Sequence, residues 1–401
     1  MSGKHARYTD PAKHDRPDRP YDLRALPEPP IPAPILPVGA RVPHGGVLPD
    51  GTVPDAAVIV DCSTSLNAWG PAQVVVDAAQ RSVAPAALSH YPDPDAHAPR
   101  DAAAQAWGCD VARIVFGAGS SELLQAVCAA LLRPKDVVLV PTPTFGEYAR
   151  AARLAGAEVR ELAPMADGVR LDLDTLEARV AEHEARMVLV CSPNNPTGER
   201  LDTARLAALA DACATTGTWL VLEQTYDPFL EQPAGVPLLG EHPAVLHLRS
   251  LTKEHALACV RTGFLVAPPH VIEAVEAVRA PWATSTLAQA TAVASLTDDA
   301  QAHVATTMAR LRGERARIAR ECERLGLRVH EGETHTLLID VGDGDAARMA
   351  LLRDGGVHVR SARAFGLPRH IRISARTPPD NDRLIAALAT FVASRGQPVS
   401  T

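Results

Sequence analysis

Lysine is scarce in this chain, which holds Lys4, Lys13, Lys135 and Lys253 against 36 arginines. Lys253 closes the run Arg249-Ser250-Leu251-Thr252-Lys253 behind an apolar stretch, and Arg261 follows shortly after. Desolvation and nearby positive charge both lower the pKa of an amine, leaving a neutral nucleophile suited to Schiff-base chemistry. Lys4 and Lys13 lie in a polar arm and Lys135 in the turn Arg133-Pro134-Lys135-Asp136, so any imine this chain forms falls to Lys253.

Three further runs carry residue types that plain packing does not need. Phe116-Gly117-Ala118-Gly119-Ser120-Ser121-Glu122-Leu123 reads as strand, glycine turn and helix start, where free N–H groups and hydroxyls favour an anion. Taken alone it is also ordinary helix capping, and no Gly-Lys-Ser/Thr follows to make a nucleotide P-loop. Cys191-Ser192-Pro193-Asn194-Asn195-Pro196-Thr197-Gly198 follows an apolar run directly, and its order is more particular than a turn requires. Leu220-Val221-Leu222-Glu223-Gln224-Thr225-Tyr226 sets a carboxylate and a phenol at the end of a buried strand.

These runs need a scaffold that brings strand ends together. From about residue 57, short aliphatic or β-branched runs alternate with amphipathic Ala, Leu and Arg-rich stretches, the mark of βαβ units. Strands are expected at Ile114–Phe116, Val137–Val140, Glu158–Leu162, Met187–Cys191, Trp219–Glu223, Val245–Leu248 and Gly263–Val266. Helices are expected at Ser120–Leu132, Phe145–Leu154, Leu171–Glu184 and Asp202–Thr215. The fold class is therefore α/β, a mostly parallel seven-stranded sheet in an α/β/α sandwich whose ligands sit at the strand carboxyl ends. A long helix over Ala300–Leu325, strands at Leu337–Asp340, Val357–Arg360 and Ile371–Ser374, and a helix over Asp380–Ser394 make a smaller α/β region. The expected division is a proline-rich arm over 1–50, with 11 of the 34 prolines, a large domain over 51–285 and a small one over 286–401.

Hydrophobic residues make up 46% of the chain and charged ones 22%, enough for a large core and too few charges for disorder. A net charge of −7 offers no footprint for nucleic acid, and no apolar run approaches the ~20 residues of a membrane span. The start MSGKHARYTD lacks a secretory apolar segment, and the seven cysteines form no CxxC pair, so a cytoplasmic protein with reduced thiols and no metal site is expected.

Together the runs resemble the pyridoxal-phosphate enzymes of the class I/II aminotransferase superfamily, fold type I, over about residues 40–395. The likeness is nearest to the threonine-phosphate decarboxylases and histidinol-phosphate aminotransferases. Pro43-His44-Gly45-Gly46, the Ser-Leu-Asn ending at Asn67, Tyr91-Pro92-Asp93-Pro94, Pro143-Thr144-Phe145-Gly146-Glu147-Tyr148 and the tail from Gly366 to Arg372 carry it beside the runs above. The resemblance implies that Lys253 holds pyridoxal 5'-phosphate, that Asn195 and Tyr226 hydrogen-bond its phenolic oxygen, and that Phe145 stacks on its ring. Ser120, Ser121, Ser250, Thr252 and Arg261 would hold the phosphate, and Tyr91 would reach a phosphate across a homodimer interface. Arg372 would pair with the substrate carboxylate, with Asn67, His44 and Arg360 as further substrate contacts.

The chain departs from the family pattern where chemistry occurs. Glu223 stands where the family has Asp, keeping the charge that holds the ring nitrogen protonated but changing the reach. Gln224-Thr225 replace the usual Glu-Ala, Ser65 and Ala68 stand where Asn and Pro are common, and Glu254-His255 follow the lysine. His255 is expected to face the substrate and move protons beyond Cα, with packing against a helix as the bland alternative. The implied activity is amino transfer on an amino-acid substrate through an external aldimine and quinonoid, in specialised metabolism. Decarboxylation and β- or γ-elimination or replacement share that intermediate and stay open. A transcription regulator would need an N-terminal helix-turn-helix that the prolines forbid, and a scaffold without cofactor conflicts with the retained Lys253, Asn195, Tyr226 and Arg261.

Overall fold

Side chains of the central strands alternate between two separate cores, as the period of two requires when helices cover both faces of a sheet. The computed structural model describes residues 42–182, 185–330 and 332–395, so most of the proline-rich arm lies outside the described residues. Its strands are β1 Val60–Asp61, β2 Ile114–Gly117, β3 Val137–Pro141, β4 Glu158–Leu162, β5 Met187–Cys191, β6 Trp219–Glu223 and β7 Val245–Ser250. They continue with β8 Gly263–Val266, β9 Arg328–Val329, β10 Thr336–Asp340, β11 Val357–His358, β12 Arg360–Ser361 and β13 His370–Ser374.

Seven of them form one sheet in the order β2-β8-β7-β6-β5-β3-β4. All are parallel except β8, which runs antiparallel to both β2 and β7. On one face, Val138, Val140, Leu189, Val221, Leu248 and Leu265 pack under the helices Ser120–Leu131, Glu147–Leu154 and Pro269–Val278. On the other, Leu139, Val188, Val190, Leu220 and Leu222 pack under Leu173–Glu182 and Thr203–Thr216. Ile114, Phe116, Phe264 and Val266 meet Trp107 of the helix His97–Trp107. The carboxyl ends of β2, β5, β6 and β7 consequently share one edge with the amino end of β8, and the chemistry-bearing loops leave from that edge.

The C-terminal elements build a four-stranded antiparallel sheet, β12-β13-β10-β9, behind the helix Asp298–Arg324. The single strand expected over Val357–Arg360 is two: β11 pairs in parallel with β1, while β12 pairs with β13. The helices Thr286–Ser295 and Gly344–Gly355 lie outside the expected set, as do Gln73–Ser82, His97–Trp107 and Pro269–Val278. The N-caps of the last three, Ala72, Ala96 and Pro268, make no side-chain cap bond, so the usual start signal is missing. Five cysteines are buried, Cys109 is partly so, and Cys259 is exposed. No helix among the described residues is long and apolar enough to cross a membrane.

Candidate active site

Two glycines let three strand ends crowd into one corner. Gly119 takes φ +86°, and a Cβ there would lie 2.7 Å from an Arg261 nitrogen. A Cβ on Gly263 would lie 2.6 Å from the Arg249 carbonyl and 3.1 Å from the Ser120 nitrogen. With neither Cβ present, the first turn of the helix Ser120–Leu131 packs against the ends of β7 and β8, and Arg261, itself at φ 60°, reaches it. The result is a corner of hydroxyls, helix N–H groups and a guanidinium, a chemistry that suits an anion. Ser250 and Thr252 share a hydrogen bond of 2.7 Å there, and no carboxylate among the described residues pairs with Arg261.

That corner is one end of a cavity of about 320 Å³ lined by Ser120, Ser121, Phe145, Asn195, Glu223, Tyr226, Ser250, Thr252, Lys253, Arg261 and Arg372. Lys253 leaves β7 into it. Burial, then the positive charges of Arg372 and Arg261, bring its amine down to about 8. At neutral pH about one amine in ten is neutral at that value, far more than for an ordinary lysine.

At the other end, Arg372 on β13 donates to the Asn195 side-chain oxygen at 2.7 Å and to the Ser63 carbonyl at 2.5 Å. Its Nε is buried without a partner. Arg360 on β12 donates to the Pro43 carbonyl and lies over the Phe365 ring. His44, at the cavity mouth, hydrogen-bonds Glu147 at 3.1 Å and tilts toward Phe145. Tyr226 and Ser65 share a hydrogen bond of 2.8 Å, and burial pushes the Tyr226 phenol up to about 12. Glu223 accepts from the Tyr148 hydroxyl at 2.5 Å and from Thr225 at 2.6 Å. Sequence reasoning assigned no role to Tyr148 or Thr225; the aromatic three residues past Phe145 was the available signal.

Three expected site residues stand apart from this cavity. His255 is fully buried and its ring nitrogens have no hydrogen-bond partner, with Glu254 Oε1 4.0 Å from Nε2. Burial, reinforced by Arg249 and His303, lowers its pKa to about 3, so it stays neutral. The expectation that it faces the substrate is therefore corrected: the chain turns through Ala256 at φ 54°, and Glu254 pairs with Arg249 away from the cavity. Asn67 spends both side-chain N–H groups on the Glu254 carbonyl and Thr307, and its backbone N–H holds the Lys253 carbonyl, so it braces the lysine loop. Tyr91 is 79% exposed and stacks on Trp282 at 4.5 Å.

The donor set suits pyridoxal 5'-phosphate. It has an anion corner for a phosphate, a carboxylate for a ring nitrogen, an amide and a phenol for an oxygen, and an amine with depressed pKa for an aldehyde. Residues 60–388 match the family model described as aminotransferase class I and II. The histidinol-phosphate aminotransferase of Geobacillus thermodenitrificans is 36% identical over 335 residues, 82% of this chain and 89% of the relative. That of Bacillus subtilis strain 168 is 32% identical over 83% of this chain and 92% of the relative. Among solved structures, the histidinol-phosphate aminotransferase of Sinorhizobium meliloti in complex with pyridoxal-5'-phosphate superposes with a TM-score of 0.75 at 26% identity, covering 83% of this chain and 90% of that one. Aspartate aminotransferase of Thermus thermophilus with maleate shares the fold, with a TM-score of 0.74 at 22% identity over 84% of this chain and 92% of that one. The chain belongs to the class I and II aminotransferase family and is a pyridoxal-phosphate-dependent enzyme.

Proposed function

We propose that the enzyme transfers the amino group of an amino acid carrying an anionic group that Arg372 binds. In this reading Lys253 carries the cofactor, Ser120, Ser121, Ser250, Thr252 and Arg261 hold its phosphate, Asn195 and Tyr226 its phenolic oxygen, Phe145 its ring face and Glu223 its ring nitrogen. Bound there, the cofactor supplies an electron sink for bonds at the substrate Cα. The observation that carries the reading is one cavity holding both the depressed amine of Lys253 and the buried Arg372 guanidinium.

Each residue then has a task fitted to its chemistry. Arg372, held by Asn195 and the Ser63 carbonyl, presents a planar fork to an anion and so fixes which way the substrate lies. Arg360 adds a second buried guanidinium beside it, which suits a second anionic group. Lys253, as the free amine near 8 once the substrate has displaced it from the cofactor, would take the proton from Cα and deliver it to the cofactor carbon it had left, so that the amino group stays behind. Asn67 keeps the lysine loop in place through the Lys253 carbonyl. The protein works as a homodimer, with Tyr91 offered to the partner's site.

The departures at Glu223, Gln224, Thr225 and Ser65 support a specialised substrate rather than a housekeeping one. The test is to purify the protein, record its visible absorbance, and follow oxo-acid and carbon dioxide release over a panel of amino donors that includes histidinol phosphate. Wild-type colour with none in Lys253→Ala, and oxo product without carbon dioxide, is the expected result. Release of carbon dioxide would favour a decarboxylase instead. Turnover of histidinol phosphate above every other donor would overturn the specialised reading.

A further inference from the structure

Glu223 is held by two hydroxyls, one on each oxygen. The Tyr148 hydroxyl donates to Oε2 at 2.5 Å and Thr225 Oγ1 donates to Oε1 at 2.6 Å. Both lengths fall in the range of about 2.5–2.7 Å typical of O–H···O⁻ bonds to an ionised acceptor. All three residues are buried. Both donors have a proton to give. Burial, then the neighbouring Cys191 and Glu223, hold the Tyr148 phenol well above its ordinary range, so it keeps its proton. The Thr225 oxygen accepts from the Ser250 N–H at 3.2 Å, which leaves its own proton for Glu223.

We propose that Tyr148 and Thr225 are positioning residues that fix the direction of the Glu223 carboxylate, so that it stays aimed at the protonated nitrogen of the cofactor ring. A glutamate has one more rotatable bond than an aspartate, and fastening both oxygens removes the freedom that bond adds. Through the Ser250 N–H, Thr225 also ties the carboxylate to the strand end that carries Ser250 and Thr252, so the ring-nitrogen and phosphate ends of the cavity are held in one register. Thr225 stands where the family pattern has Ala, beside the Glu that replaces Asp, so the two departures form one device.

The inference rests on Glu223 facing the ring nitrogen, and the experiment separates the two. The cofactor-free enzyme is reconstituted with cofactor carrying 15N in the ring, and the ring-nitrogen NMR shift and the cofactor dissociation constant are read for wild type, Glu223→Gln, Tyr148→Phe, Thr225→Val, the double variant and Thr225→Ser. The expected result is a protonated ring nitrogen in wild type and Thr225→Ser and a neutral one in Glu223→Gln. Tyr148→Phe and Thr225→Val should each move the resonance toward neutral and weaken cofactor binding roughly tenfold, as losing a hydrogen bond to a charged group does. A double variant with the wild-type resonance and wild-type affinity, while Glu223→Gln is altered, overturns the role of the two hydroxyls alone. A Glu223→Gln enzyme whose ring stays protonated overturns the assignment of Glu223 and this proposal with it.

Discussion

Charge on Lys253 is unfavourable where it stands. In the folded protein its amine titrates at about 8, against 10.5 for a free lysine. Between those values the unfolded chain holds the proton and the folded one does not, so stability of the cofactor-free protein rises as pH climbs through that window. Below pH 8 the whole penalty is present, at most ~3 kcal/mol. Lys253→Met is expected to raise the melting temperature of the cofactor-free protein at pH 7 and to lose that advantage as pH approaches 10.5. Thermal melts across the range check this, and a variant melting below wild type at pH 7 contradicts it. That Lys253 is the lysine set in the cavity was legible in the sequence, because three other lysines had visibly different settings. His255 was not, since the direction of a side chain two residues on depends on the backbone turn at Ala256, which residue types do not disclose.

At the scale of elements, glycines in different settings should respond in opposite ways. Gly263→Ala brings a methyl group against two backbone atoms that cannot give way, the Arg249 carbonyl and the Ser120 nitrogen. It is expected to cost ~1–3 kcal/mol and to weaken cofactor binding by spreading the anion corner. Gly313, exposed in the helix Asp298–Arg324, meets nothing within 4 Å and has no positive φ. Gly313→Ala should therefore stabilise by ~1 kcal/mol. Urea unfolding of both variants checks the pair, and the same sign for both would contradict it. The inner parallel strands of the main sheet were readable because buried parallel strands are short continuous apolar runs, as in Met187–Cys191. The helix Gln73–Ser82 was not, because its Val-Val-Val run favours a strand and no side chain caps it, while the helix buries Val75, Ala78 and Ser82.

At the scale of the whole molecule, the stacked and exposed pair Tyr91 and Trp282 marks the surface proposed to meet a second copy. The expected outcome is a dimer in sedimentation, a melting temperature that rises with protein concentration, and weaker association in Tyr91→Ala. A monomer with full activity at nanomolar concentration would contradict it. The sequence by itself determined the sheet, the setting of the motif loops at its strand ends and the family, because each is written in local pattern: apolar runs, turn residues and short motifs with ordered spacing. Tertiary structure alone decided that β11 leaves its expected strand to pair with β1, that Arg372 is held by Asn195, that Asn67 braces the lysine loop, and that Tyr148 and Thr225 grip Glu223. Each of these joins strand ends or loops whose meeting depends on how the sheets and helices pack, or on where a side chain points once they have packed, and neither is encoded by neighbours along the chain.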